Sequence, residues 1–365
     1  LRKDVDDLKG RMGWYGDARF RYFANKDQSG NNRNGGTGET SQFEKRLRLG
    51  FWANPAENLT VDGRLKYDDH SWKRDGKGSV NHNWNGQDNQ DKLGLDKLSL
   101  TWDHAGTKAS VGRTEVKLGQ GLLWWENQVD GAYVQHQFGP KVTAMLGVGD
   151  ISAEGWQDHN TNAQFANIAV QTSPATQITL SNMRTITNTQ VWDSGASKNY
   201  DSAYKLNQFS LGVNTQVAPK WNVLAEAVTN NIGTGGSESG GTWLGAGQEK
   251  INKHGFWTRV TYGKMDWKTA KDWQVYGEYF ALGNAAVDSK YWGHRLNIAG
   301  GNSYWSAWNE SWGDGARGFG INLDYMIADN TCLGLNYYKL KPYDEAAAGF
   351  SKYNDIATVA LSYMF

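Results

Sequence analysis

Cysteine and proline are scarce: the 365 residues hold one cysteine, Cys332, and five prolines. A single cysteine excludes an internal disulfide framework and a cysteine-based metal site. No apolar run approaches the ~18 residues of a membrane-crossing helix, and mean hydropathy is -0.68, so a helical membrane protein is excluded. Charge of one sign is also lacking. Lys+Arg and Asp+Glu both number 38, which removes any bulk attraction to nucleic acid or anionic lipid. The seven histidines (His70, His82, His104, His136, His159, His254 and His294) never take the four-residue spacing of a helical metal pair. No nucleophile motif accompanies them, so no catalytic residue is assigned. Glycine clusters such as Gly36 and Gly38 lie in polar stretches without a following helix and are no phosphate cradle. No cofactor, no metal and no nucleic-acid partner is expected.

What the chain does have is aromatics and glycine: 18 Trp, 17 Tyr, 12 Phe and 44 Gly. That balance suits many strands joined by long polar loops. The last nine residues show the pattern best. Ala357, Val359, Leu361, Tyr363 and Phe365 alternate with Thr358, Ala360, Ser362 and Met364, a strict two-residue period that ends on an aromatic. The same period opens the chain, where Trp14, Gly16, Ala18, Phe20 and Tyr22 alternate with Tyr15, Asp17, Arg19 and Arg21. Phe43, Leu47, Leu49 and Phe51 alternate with Glu44, Arg46 and Arg48, and Leu59, Val61, Leu65 and Tyr67 with Asp62, Arg64, Lys66 and Asp68. Charge recurring inside the alternation, strand after strand, places the apolar face outward on lipid and the charged face on water. Low hydropathy is compatible with that, because only alternate strand residues meet lipid.

Further runs lie near 96–104, 107–115, 131–138, 141–149, 164–172, 176–187, 204–216, 220–230, 254–263, 272–283, 317–328, 331–340 and 354–365, making sixteen in all. The gaps between them alternate between short and long. Pro55, Pro140, Pro174 and Pro219 fall in short gaps, and Pro342 opens the last long one. This predicts an all-β fold: a 16-stranded antiparallel transmembrane β-barrel with short periplasmic turns and long outer loops. An even strand count puts both termini in the periplasm. Trp14, Phe51, Trp102, Trp221, Trp273 and Phe365 are expected at the turn-end interface, and Tyr22, Phe43 and Tyr67 near the loop end. Residues 1–9 read as a short N-terminal helix, because Leu1, Val5 and Leu8 step by four and three and Lys9-Gly10 suits a helix end. The organisation is therefore a stalk end over 1–10 and a barrel over 11–365.

Arg19, Arg21, Arg46, Arg48, Arg64 and Lys66 share the inward parity on three consecutive strands, which stacks them as a basic ladder. The third long gap, 114–130, is unusually apolar, with Leu122-Leu123-Trp124-Trp125 at its centre, so it must pack against something; the layout resembles that of general porins, and that resemblance implies a third loop folded into the barrel. It carries Glu115, Lys117, Glu126 and Asp130, and Glu115, Glu126 and Asp130 are expected to face the ladder across the pore. Opposed charges in a narrow channel order water and sort solutes by size and charge. Two other readings stand beside this one. Asp17, Glu44, Asp62 and Asp68 could neutralise the arginines as a stiffening lattice, or the third loop could lie on the rim. Asp27, Ser29 and Asn31 space like calcium ligands but lack the glutamate that completes such a loop. The 75–91 segment reads as a solvated cap, and Trp305, Trp308 and Trp312 as a loop's own packing.

Strand count, apolar third loop, basic wall and terminal Phe365 together resemble the general diffusion porins over 14–365. The seam of Leu1, Val5 and Leu8 leading into the first strand is similar to the OmpM-type tethering porins of diderm Firmicutes. That resemblance implies a homotrimer in the bacterial outer membrane, contacting lipid and lipopolysaccharide, and tethered to peptidoglycan only through an N-terminal domain absent from this sequence. The expected function is passive diffusion of small hydrophilic solutes and ions through a water-filled channel with a charged waist. A solute-specific anion or sugar channel, a closed structural tether and an outer-membrane enzyme are the alternatives.

Overall fold

A computed structural model describes residues 10–24, 40–74, 93–151, 162–186, 189–193, 198–202, 207–231, 252–283, 285–287, 295–296, 315–348, 350–353 and 355–365. The predicted N-terminal helix (Leu1, Val5, Leu8), the Asp27–Asn31 spacing, the 75–91 segment and Trp305, Trp308 and Trp312 lie outside the described residues, as does the Asp68 side chain.

Among the described residues eighteen strands follow in chain order: β1 Met12–Ala24, β2 Thr40–Ala56, β3 Leu59–Arg74, β4 Gly94–His104, β5 Thr107–Leu118, β6 Trp124–Phe138, β7 Val142–Asp150, β8 Asn162–Ser173, β9 Thr176–Thr185, β10 Thr189–Asp193, β11 Lys198–Ser202, β12 Asn207–Ala218, β13 Trp221–Asn230, β14 His254–Lys264, β15 Trp273–Leu282, β16 Ala316–Ala328, β17 Thr331–Lys341 and β18 Ile356–Met364. Strands β1–β9 and β12–β18 form one closed antiparallel barrel of sixteen, while β10 and β11 pair only with each other. Each of the sixteen runs read from the period is a barrel strand. The small β10–β11 hairpin sits in a long gap where no alternation marks it.

The barrel closes between β1 and β18, from Asp17↔Met364 to Ala24↔Ala357. Beyond that ladder, Gly16 and Phe365 exchange both backbone hydrogen bonds at 3.0 Å. Pairing every barrel strand on both sides removes the exposed edges an open sheet would carry. At one end the connections are tight, and backbone shape explains why. Positive φ at Asn58, Ala105, Gly106, Gly139, Lys220, Lys271 and Asn330 supplies the left-handed residues that narrow hairpins need.

The two faces of the wall differ in chemistry. Trp14, Phe20, Leu47, Leu65, Leu98, Val134, Leu146, Leu211, Ile321 and Phe365 are exposed on the outside. Trp14 meets Phe51, Trp221 meets Tyr262, Tyr262 meets Trp273 and Tyr363 stacks on Phe365, so the turn-end aromatics touch as a belt. The inner face carries ion pairs on β1–β5. On β13–β17 it carries a buried apolar cluster that includes Leu224, Val228, Trp257, Phe280, Leu282, Tyr338 and Leu340. Cys332 is buried on this inner side, its Sγ 3.6 Å from the Met265 sulfur.

Candidate functional site: a charged wall and an infolded hairpin

Alternation delivers the ladder to the inner face, and register sets its partners. Asp17 on β1 lies opposite Arg48 on β2. Its two carboxylate oxygens accept from Arg48 Nε at 2.6 Å and Arg46 Nη2 at 2.8 Å. Glu44 takes Arg21, whose Nε donates at 2.7 Å, and lies 3.8 Å from Arg19. Arg64 on β3 is buried between Asp96 and Glu115, donating to both. Lys66 reaches Asp96 at 3.4 Å, and Gln128 donates to the same carboxylate at 2.9 Å. Asp62 accepts from Tyr15 Oη at 2.6 Å and from Lys97 at 3.0 Å. The ladder is thus laced with carboxylates of its own wall, with Asp17 and Glu44 on arginines as in the lattice reading, whereas Asp62 is taken by Tyr15 and Lys97. Asp96 and Lys97 were not anticipated. Both face inward because a bulge between Arg64/Leu65 and Leu95/Lys97 inserts one extra residue and suspends the alternation there.

The loop expected over 114–130 is instead the far end of a β-hairpin. Thr114–Leu118 belongs to β5 and Trp124–Asp130 to β6, leaving only Gly119–Leu123 as the turn. Pairing of β5 with β4 stops at Leu98↔Arg113, and pairing of β6 with β7 stops at Asp130↔Asp150. The β5–β6 ladder continues alone to Leu118↔Trp124. At the crease Gly112 faces Gly131, and Gly149 lies beside them. A Cβ on Gly131 would sit 2.1 Å from the Val148 oxygen and 2.5 Å from the Gly149 Cα, so only bare backbone fits.

Past the crease the hairpin turns inward and crosses to inner-face residues of distant strands. Gly119 N–H donates to Asn167 on β8 at 3.0 Å, Gln120 to Thr179 on β9 at 3.3 Å, and Leu122 N–H to Glu226 on β13 at 2.8 Å. The apolar residues explain the direction. Val116, Leu118, Leu122, Leu123, Trp124 and Val129 are buried in the same cluster as Phe165 and Met183 of the inner wall. The opposite face of the hairpin, with Lys117 and Glu126 each 53% exposed and paired at 2.6 Å, is left looking into the lumen.

The charges of this segment pair differently from the expected opposition. Glu115 joins Arg64 within the basic wall, and Asp130 is held by two hydrogen bonds from Arg113, its cross-strand neighbour, at 2.7 Å. Neither carboxylate stands alone across the pore, because each has a guanidinium one or two strands away. Glu126 stays on the lumen-facing side, with Lys117 as its partner.

A second cluster was missed by the sequence reading. Arg295 follows β15 in the chain and donates its backbone N–H to the Gly121 oxygen at 2.7 Å. Its guanidinium lies 4.6 Å from the Trp125 ring, whose centroid is also 4.8 Å from Lys117 Nζ. Nearby, Arg259 is paired with Glu278 at 2.9 Å and stacks over Tyr276 at 4.3 Å and Trp257 at 5.0 Å. Nothing local in sequence marks Arg295, which reaches the site only by docking on the hairpin turn.

No protein-family model and no curated protein matches the sequence. Among solved structures, a triple mutant of the Rhodopseudomonas blastica porin aligns over 97% of this chain and 100% of its own, at 10% identity and TM-score 0.50. Salmonella typhi OmpF, solved in complex with daunomycin, aligns over 97% of both chains at 12% identity and TM-score 0.57.

The fold is that of the porins.

In this porin-fold barrel the described residues contain no cluster of three or more His, Cys, Asp or Glu side chains able to hold a metal ion. The chemistry the arrangement offers is electrostatic. One wall carries paired arginines, and the hairpin turn packs against inner-face residues of β8, β9 and β13.

Proposed function

We propose that this chain forms a water-filled channel in a bacterial outer membrane and passes small hydrophilic solutes and ions without a chemical step. The single observation that carries the reading is the reversal of faces. The closed barrel is apolar with an aromatic belt outside and ion-paired inside, an arrangement suited to lipid around it and water within. The constriction is assigned to Arg19, Arg21, Arg46, Arg48, Arg64 and Lys66 on the wall, with Glu115, Lys117, Glu126 and Asp130 on the infolded hairpin. The inward contacts of Gly119, Gln120 and Leu122 support placing that hairpin in the path.

Planar-bilayer recording of the purified protein tests the proposal. Discrete, ohmic current steps are expected; a protein that inserts into bilayers and carries no current would sink it in favour of a closed structural barrel. Homotrimeric assembly, periplasmic termini and a peptidoglycan tether through a further N-terminal domain belong to the same proposal. The even number of barrel strands supports the periplasmic termini, and the resemblance of Leu1, Val5 and Leu8 to a coiled-coil seam supports the trimer and the tether. Three equal current steps per insertion, and crosslinked species at three times the monomer mass, are the expected signs of the trimer.

A further inference from the structure

We propose that Arg295, held over Trp125 at the hairpin turn, is a binding site for a small oxyanion, a carboxylate or a phosphate, within the lumen. The inference rests on the channel reading and adds the class of solute the path retains.

The observation is an excess of positive charge with every nearby carboxylate already engaged. Glu278 has a fully buried side chain and accepts from Arg259, from Trp257 Nε1 at 3.1 Å and from Tyr338 Oη. Glu126 is taken by Lys117 at 2.6 Å. Among the described residues no carboxylate pairs with Arg295, whose guanidinium instead faces the Trp125 ring at 4.6 Å. Burial first, and the like charge of Arg259 second, hold its pKa below the ordinary arginine value. A guanidinium largely removed from water, beside a second cation and with no carboxylate hydrogen-bonded to it among the described residues, is stabilised by any anion that arrives. Its planar fork of N–H donors matches carboxylate and phosphate oxygens with two parallel hydrogen bonds.

The site is also preformed and reachable. The Arg295 backbone is tied to Gly121, and a Cβ on Gly121 would come within 2.5 Å of the Arg295 Cβ, so the arginine stem lies flat on bare backbone. Lys117, whose Nζ lies 4.8 Å from the Trp125 ring centroid, and Glu126 are half exposed. Lys117 therefore adds a second, half-exposed cation beside the ring that Arg295 faces.

Isothermal titration of the detergent-solubilised full chain, with sodium phosphate and sodium benzoate in separate runs against sodium chloride, is the test. Saturable binding of at least one oxyanion is expected, weakened tenfold or more in Arg295→Gln and unaltered in Lys108→Gln, an exposed cation at the β4–β5 turn away from the constriction. Phosphate alone would mark an inorganic-ion site, and benzoate alone an organic-acid site that uses the aromatic surroundings. No saturable heat with either anion, or affinity unchanged in Arg295→Gln, would overturn the assignment. Arg295→Lys, which keeps the charge and the stem, guards against misfolding: if Arg295→Gln does not fold, Arg295→Lys must still bind, within about tenfold of the parent. Because binding is read apart from current, a protein that conducts but binds no oxyanion loses this site and keeps the channel reading. One that binds but never conducts does the reverse.

Discussion

The backbone N–H of Leu122, at the turn of the infolded hairpin, donates to the Glu226 carboxylate on β13 at 2.8 Å, joining positions 104 residues apart. This contact, with those of Gly119 and Gln120, is what keeps the hairpin turn across the lumen rather than free. A buried N–H left without a partner costs about 1–3 kcal/mol, so Glu226→Ala should loosen the turn without unfolding the barrel. The expected result is larger, noisier single-channel current and new proteolytic cleavage within 119–123. Gly119→Ala should act in the same direction. The residue has φ +68, and an added Cβ would lie 2.0 Å from Glu226 Oε1. Parent-like current and protease resistance in both variants would show that the turn is held by its apolar packing alone.

Asp17 balances two arginines at once, Arg46 at 2.8 Å and Arg48 at 2.6 Å. That triplet carries a net positive charge facing the water path. Replacing both arginines with glutamine leaves Asp17 and turns the local sum negative, so the reversal potential in a salt gradient should move toward cation selectivity. Asp17→Asn should move it the opposite way, toward anions. The two shifts are predicted to shrink in ~1 M salt, where the screening length falls to about 3 Å. Equal reversal potentials in all three proteins would remove these residues from the path that ions sample.

The barrel was legible because its period is written in every strand. Phe20 and Leu47 outside, Arg21 and Arg46 inside, need only parity to be placed, and the turns at Asn58 and Asn330 show themselves as breaks in it. What lay beyond reach depended on contacts between distant segments. Leu118 and Trp124 continue a ladder beyond the barrel wall, with Val116 and Leu118 on the buried cluster and Lys117 and Glu126 exposed, and the register shift between Val116 and Lys117 hides the pairing from simple counting. That the third segment packs against something could be read from its Leu-Leu-Trp-Trp run, and Glu115 does meet the ladder at Arg64, but Asp130 and Glu126 pair within the hairpin with Arg113 and Lys117. Asp130 and Arg113 meet through cross-strand register, and Glu115 reaches Arg64 past β4, where the bulge beside Asp96 upsets simple counting. Arg295 had no signal at all, since only the docked turn gives it a site.

Arg64 is the most enclosed cation of the wall, with a side chain 8% exposed between Asp96 at 1% and Glu115 at 23%. Removing one partner of a buried charge cluster costs about 3–5 kcal/mol, because the remaining charge stays desolvated. Lys66 and Gln128 still reach Asp96 and Glu115 is partly solvated, so Arg64→Ala belongs at the lower end, about 3 kcal/mol. Urea unfolding of the protein in lipid vesicles, followed by tryptophan fluorescence, should report that loss. Adding Asp96→Asn to Arg64→Ala should recover part of it, since the orphaned carboxylate is then gone. If the double variant is no more stable than the single one, the cost lies in lost packing and not in charge.

Phe365 closes the barrel seam with both of its backbone bonds to Gly16, and its ring covers that glycine so closely that a Cβ there would sit 2.5 Å from the ring. Deleting Phe365 removes the last rung of closure and a stacking partner of Tyr363, whose ring centroid lies 5.9 Å away. Each net hydrogen bond contributes about 0.5–1.5 kcal/mol. The loss is therefore small beside the full β1–β18 ladder, and the folded barrel should survive. The larger effect is expected on assembly, because the seam must be found before the edges of β1 and β18 are satisfied. The fraction of chain refolded into vesicles, read from the heat-dependent shift in electrophoretic mobility, should fall severalfold for the deletion and for Gly16→Leu, and stay near parental for Phe365→Tyr. A deletion variant that refolds as fast as the parent would show that closure is nucleated higher on the seam, between Phe20 and Leu361, and that the terminal ring matters only to the finished wall.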